Sequence, residues 1–398
     1  MGKHPVIGFV STYPPTECGI ATFTTALRMA MAGGRTLGDD LPVVSLVHKP
    51  LQVPAPEVVY QHMVGDPDSL VSAVELLNKM DAVVIQHEYG IYGGPDGDEI
   101  LDLVASLRVP VLVVLHTVPK FPTPRQRTIL ETLIKESDEA VVLSQSARRQ
   151  LTSRYDVGEK SVVMVPHGAR SHPNERPRDV SQPARLLTWG LIGPGKGLET
   201  AIEALASLGD MNPEPRYLIL GETHPKVRAA SGDVYLEGLI HRSRMLGLQG
   251  MVEFDNQYAD LETLGRIIDR ADIVIIPYDS TEQVTSGVLV EAIAAGKPVI
   301  ATAFPHAVEM LASGAGVIVP HSDPAAMAAA IRELIVDPVR TAQMAKVAGA
   351  LAAKLDWVTV AARYETILAR LVAETSTLIN LDDLMETPTS VEILSLPG

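Results

Sequence analysis

Hydrophobic residues in this chain come in short runs separated by amphipathic stretches, and the alternation continues along most of its length. Val6 to Val10, Val43 to Val47, Ala82 to Gln86, Val111 to His116, Ala140 to Leu143 and Val162 to Val165 read as short buried strands. Helical stretches fall between most of them, from Gly19 toward Met31 and at Ser69 to Met80, Glu99 to Leu107 and Gln126 to Glu136. Strands apolar on both faces that alternate with helices predict a parallel sheet covered on both sides. Ligands of such sheets gather at the carboxyl ends of the strands, so polar residues there are the first candidates for chemistry.

The segment Arg170 to Arg185 interrupts the pattern with prolines, charges and almost no apolar residues, and predicts a domain boundary. Beyond it the pattern restarts, with strands at Leu186 to Trp189, Tyr217 to Leu220, Met251 to Phe254, Asp272 to Ile276, Val299 to Ala301 and Gly316 to Val319. A helix from Gly287 to Ala295 is stopped by Gly296 and Pro298. Helices then fill Pro324 to Ala352 and Asp356 to Glu374. The expected organisation is α/β, with a first domain over 1–170, a linker over 171–184 and a second domain over 185–355. A terminal helix over 356–374 and an acidic, loosely ordered tail over 375–398 complete it.

Composition narrows the partners. At 398 residues the chain has room for two cores, and 46% hydrophobic with 20% charged residues is the balance of a soluble globular protein. A net charge of −15 argues against nucleic acid or anionic lipid as a main partner. With Cys18 as the only cysteine, neither an internal disulfide nor a cysteine-based metal site is available. The first strand starts at Val6, which leaves no room for a signal peptide, and no apolar run reaches membrane-span length. A cytoplasmic location is the expectation.

The stretch Asp279 to Thr302 (DSTEQVTSGVLVEAIAAGKPVIAT) carries the most chemistry. Thr285, Ser286 and Gly287 stand at a helix N-terminus, where free N–H groups and the helix dipole suit a phosphate. Glu291 lies one turn further along the same face, placed to accept hydrogen bonds from a ribose diol. An ordinary strand–helix crossover with a solvated glutamate accounts for the same residues. A second candidate phosphate loop, GLIGPGKG, offers Lys196 as its cation but lacks Walker A spacing, and a simple capping loop explains it as well. Glu222 and His224 end the strand after it. In the first half, Gln86, His87 and Glu88, then His116 and Thr117, then Pro166 and His167, end three strands on one sheet edge. Asp66-Pro-Asp68 has the spacing of metal-binding carboxylates, yet it precedes an apolar helix and reads as a cap, so no metal is expected there.

The wording of Asp279 to Thr302 resembles the glutamate–seven–glutamate signature of the retaining, nucleotide-sugar-dependent glycosyltransferases of family GT4, which have the GT-B fold. The resemblance reaches from the first strand to about Leu371 and implies two Rossmann-like domains facing across a cleft. It implies transfer of a hexose from a GDP- or UDP-hexose to a soluble, saccharide-type acceptor, without metal or other cofactor. On this basis Gly19, Lys196, Glu222, Thr285, Ser286, Gly287 and Glu291 bind the donor, while His116, Lys196 and Gln283 act at the reacting centre. His87 and Glu88 fall on the acceptor side, and Asp255 to Tyr258 match the region that holds the base. The chain departs from the family at two places: Gln283 stands for the first glutamate, and Leu191 for an arginine that contacts the diphosphate. Cys18 replaces the first glycine of the loop that ends in Gly19. A GT-B glycoside phosphorylase and a non-catalytic nucleotide or sugar binder are the alternatives. Lys226 and Arg228 are the other cations that could serve the diphosphate.

Overall fold

A computed structural model describes residues 4–33, 41–158, 162–170 and 179–385. Most of the expected linker, over 171–178, and the end of the expected tail, over 386–398, lie outside the described residues.

The first sheet has seven parallel strands: β1 (Ile7–Ser11), β2 (Val43–Val47), β3 (Val58–Met63), β4 (Ala82–His87), β5 (Val111–Leu115), β6 (Glu139–Val142) and β7 (Val162–Met164). Their order is β3-β2-β1-β4-β5-β6-β7. The second sheet has six, β8 (Arg185–Trp189), β9 (Arg216–Leu220), β10 (Val252–Asp255), β11 (Ile273–Ile276), β12 (Val299–Thr302) and β13 (Gly316–Val319), ordered β10-β9-β8-β11-β12-β13. Both orders reverse direction beside their first strand. That leaves a crevice at the carboxyl edge between β1 and β4, and another between β8 and β11. The chain is thus a two-domain α/β protein of two doubly wound sheets.

Strand positions match the apolar runs because β1, β2, β4, β5, β6, β11 and β12 are buried throughout. The strand missing from the sequence reading, β3, is the edge strand. Its residues VVYQHM are mostly half-exposed, so no apolar run marks it.

The final helix also corrects an expectation. It runs Trp357–Met385, past the point where a loose tail was expected, because no glycine or proline interrupts Thr375 to Met385. Val360, Ala361, Tyr364, Ile367, Leu368 and Leu371 form one apolar stripe that packs with Phe9, Phe23 and Leu27 in the core of the first sheet. Asp66 caps the helix Pro67–Leu77 by accepting from Asp68 N (3.0 Å) and Ser69 N (3.4 Å), the role expected for it.

The two sheets' domains meet on one side through a polar latch. Glu309, on the helix Pro305–Leu311, accepts from Gln145 N (3.0 Å) and Ser146 N (2.6 Å) at the start of the helix Gln145–Arg154. Ser144 Oγ donates to Val284 O beside it (2.5 Å). Across the cleft, Thr22 Oγ1 and Tyr258 OH share a hydrogen bond of 3.1 Å.

Candidate functional site

The second sheet supplies a wall of backbone donors and cations. After β8 the chain turns through Gly190 to Lys196 and folds against the end of β11, with Asp279 N donating to Gly195 O (3.0 Å). Gly197 makes this possible: its φ is +62°, and a Cβ there would collide with Pro277 O at 1.8 Å. Lys196 Nζ comes to rest 4.5 Å from the centre of the Tyr278 ring, a cation–π contact at the crevice.

The helix Gly287–Ala294 begins at the same crevice. Ser286 caps it by accepting from Leu289 N (3.3 Å). The Ser286 N–H, expected to face a ligand, instead donates to Nδ1 of the buried His306 (2.9 Å). The group is already satisfied, so the donors left at this terminus are the N–H groups of Gly287 and Val288, which have no acceptor among the described residues. Gln283 Nε2 donates to Thr285 O (2.6 Å), which ties the loop together, while the buried Thr285 Oγ1 has no partner among the described residues. Burial raises the Tyr155 phenol of the first domain to about 12, and the charge of Glu282 adds to the rise. Glu291 sits one turn into the helix and accepts from Trp189 Nε1 (3.0 Å). Burial raises its carboxyl to about 7, and the Trp189 hydrogen bond opposes the rise.

Glu222 pairs with Arg228 (3.3 Å), which also pairs with Asp233 (3.4 Å). Gly19 opens the helix Gly19–Ala32 from the first sheet, with nothing within 4 Å of where its Cβ would stand. That bare helix start leaves room for a ligand's close approach.

The wall of the first sheet is different. His116 Nε2 donates to Gln86 Oε1 (2.7 Å), and its ring meets Phe23 edge-on at 4.8 Å. His167 Nδ1 donates to Gly168 O (2.6 Å), and its ring contacts Phe23 and Trp357. Its Nε2 faces the helix start of the other domain: a Cβ on Gly287 would lie 3.0 Å from it. His116, His167 and Gly287 therefore share one space. Burial holds His116 down at about 3 and His167 at about 4, so both are neutral near pH 7. His87 is fully buried, packs against Tyr89 and Tyr92, and has no partner for either ring nitrogen among the described residues. It does not form the cleft wall expected of it. Glu88 is half-buried and accepts from Thr117 Oγ1 and from Tyr89 N (3.1 Å).

In the sequence His167 stands only as a polar residue that ends a strand, and no local pattern marks the role of His306. Their roles depend on contacts made from the opposite domain and from a loop twenty residues earlier, which no local pattern encodes. The described residues contain no group of three or more His, Cys, Asp or Glu side chains able to hold a metal ion. They contain no helix long and apolar enough to cross a membrane.

Residues 174–350 match the family described as Glycosyl transferases group 1. Among curated proteins, the chain is similar to a glycogen synthase of Mycobacterium tuberculosis, 28% identical over 58% of this chain and 53% of that protein. It is similar to a D-inositol 3-phosphate glycosyltransferase of Streptomyces avermitilis, 28% identical over 63% of this chain and 58% of that protein. The chain thus spans only about half the length of the curated relatives it matches. Among solved structures, HepE of Anabaena in complex with UDP superposes with a TM-score of 0.68 over 92% of this chain and 100% of that one, at 19% identity. At that identity the likeness speaks for the fold, which is GT-B.

Proposed function

We propose that this chain, a GT4-like glycosyltransferase with the GT-B fold, moves a hexose from a nucleoside diphosphate sugar to a soluble saccharide acceptor with retention of configuration. The observation that carries the reading is the crevice beside β8 and β11. There the helix start at Gly287 and Val288 and the Lys196 ammonium offer donors suited to phosphates, and Glu291 one turn along the helix offers an acceptor suited to a ribose, which supports the reading. The structural neighbour HepE, described in complex with UDP, supports UDP as the first nucleotide to test.

In the transfer, the bond from the sugar carbon to the diphosphate oxygen breaks and the acceptor oxygen bonds that carbon on the same face. The acceptor's proton passes to the leaving diphosphate. Charge builds on the diphosphate as it leaves, so donors and cations fixed around it stabilise the transition state more than the bound donor. Gly287, Val288 and Lys196 fill that role, with Glu291 on the ribose and Glu222 and Gly19 along the donor. His116, neutral and held by Gln86, meets the hexose, and Gln283 shapes the loop beside it. Glu88 faces the acceptor. No metal is assigned, because Asp66 is held as a helix cap and the diphosphate has protein cations, so activity surviving EDTA is expected.

The test is calorimetric titration of UDP, GDP and ADP, followed by transfer from the matching hexose donor and determination of the product anomer by NMR. Binding of one nucleotide with transfer and retention is expected. Phosphorolysis of a glycoside, or binding with no turnover, would replace this reading with one of the alternatives.

A further inference from the structure

The resemblance implies a diphosphate-contacting arginine at the position where this chain has Leu191, and other groups of this chain stand beside that leucine. Ile192 N donates to Glu222 O (2.7 Å) and His224 N donates to Ile192 O (2.8 Å), so the segment after β9 is zipped to the loop after β8. The helix Pro225–Ser231 continues from this segment and lies over the loop; a Cβ on Gly193 would meet Val227 at 3.2 Å. His224 holds the helix start in place by accepting from Lys226 N (3.2 Å). A cation on the first turn of this helix is therefore carried directly above the phosphate loop.

Two cations sit there, and they are not equivalent. Arg228 is already neutralised by Glu222 and Asp233. Lys226 is exposed and has no carboxylate within ion-pair distance among the described residues. Its Nζ makes a long contact, 3.5 Å to Gly90 O, in the loop that follows Glu88 on the opposite wall, and its charge lowers the Glu88 carboxyl that burial raises. Burial lowers His224, and the charges of Lys196 and Lys226 both lower it further. Gly90 leaves room for Lys226: a Cβ there would come within 2.5 Å of Nζ, although the Gly90 backbone is not in the left-handed region that favours glycine. The clearance serves the lysine rather than the turn.

We propose that Lys226 is the second leaving-group cation, which replaces in space the arginine absent at position 191 and holds the donor diphosphate together with Lys196. The inference rests on the nucleotide-sugar reading of the site. It adds a group from the helix after β9 to a phosphate site otherwise built from β8 and β11 loops. Because Lys226 also reaches Gly90, the same ammonium lies between the diphosphate and the acceptor loop.

The experiment compares the wild type, Lys226→Ala, and Lys226→Ala combined with Leu191→Arg. For each, the affinity of the tightest binder among UDP, GDP and ADP is measured beside that of its parent nucleoside, and turnover is measured with the matching sugar donor. Lys226→Ala is expected to weaken the diphosphate about tenfold, leave the nucleoside unchanged and lower turnover roughly 10- to 100-fold. Restoring an arginine at 191 is expected to recover most of the turnover, which a lysine needed only to bridge the domains would not allow. Unchanged diphosphate affinity in Lys226→Ala overturns the proposal, as does an equal loss for the nucleoside or no recovery with Leu191→Arg. A wild-type protein that binds none of the three nucleotides fails the nucleotide-sugar reading itself, and this inference with it.

Discussion

At the carboxyl edge of the first sheet, strands run out into Gln86, His116 and His167, neutral side chains held by buried hydrogen bonds and the rings of Phe23 and Trp357. At the matching edge of the second sheet, loops run out into Lys196, Lys226 and a helix start with unsatisfied N–H groups. The two sheets share one winding and one kind of crevice. What differs is how each wall treats charge. Burial in the first lowers the histidines until they are uncharged, so this wall can recognise hydroxyl groups through hydrogen bonds but cannot hold an anion. The second keeps its cations at the surface of the crevice, where they are open to an anion. A reaction that separates a neutral sugar from a charged leaving group needs both kinds of wall.

The largest effect should come from the charged wall. Lys196→Ala is expected to lower turnover on the order of 100-fold while weakening donor binding less, because the leaving diphosphate carries more charge than the bound donor. Lys196→Arg should recover only part, since the planar guanidinium cannot occupy the place of the ammonium over Tyr278 in the same geometry. Near-native turnover in Lys196→Ala would remove the distinction between the walls. Next in size is Glu291→Ala. Loss of a charged acceptor from the ribose is worth roughly 1.5–3 kcal/mol, so nucleoside diphosphate affinity should fall tenfold or more. Calorimetry on the folded variant decides it, and unchanged affinity would free Glu291 for a purely structural bond to Trp189.

The neutral wall should give a smaller and differently distributed loss. His116→Ala removes a hydrogen bond to the hexose, roughly tenfold in turnover, and leaves free nucleoside diphosphate affinity nearly intact. Steady-state kinetics beside nucleotide titration separates the two. If nucleotide binding collapses while turnover at saturating donor holds, the neutral wall does not face the sugar.

Much of this division can be read in the chain, and the part that cannot has a physical cause. Central parallel strands are apolar on both faces, so β4, β5, β11 and β12 announce themselves as runs, and the polar residues that end them mark the crevices. Gly296 and Pro298 fix where the donor helix stops, and hence which face Glu291 shares with Gly287. The edge strand β3 is invisible because half of it is wet. The satisfied Ser286 N–H is invisible for another reason: its acceptor, His306, arrives through β12 and a turn, and only the folded sheet brings them within 2.9 Å. His87 misleads in the opposite direction. A histidine at a strand end signals a ligand, but here Tyr89 and Tyr92 from the following loop close over it.

The finest test is the pH dependence of stability, where the buried histidines and Glu291 should pull in opposite directions. His87 and His167 are lowered by burial to about 4 in the folded protein, against about 6.5 in an unfolded chain. Between those values the unfolded state binds more protons. The stability these histidines contribute is therefore complete above about 6.5 and is lost as pH falls toward 4. Glu291 is raised to about 7 from an unfolded value near 4.5, so the folded state binds more protons between them. Its contribution is complete below about 4.5 and is lost as pH rises through 7. Between pH 7 and 5.5, acidification should thus cost about 1 kcal/mol for each buried histidine, His306 of the second domain included, while the Glu291 contribution grows. His87→Phe removes a titrating ring of similar size whose nitrogens are unpaired, so it should flatten the loss of stability on acidification. Glu291→Gln removes the opposing group and should steepen it. Urea unfolding of the wild type and both variants at pH 7 and 5.5 gives the comparison directly. Parallel behaviour in all three would mean that neither group changes its proton on folding.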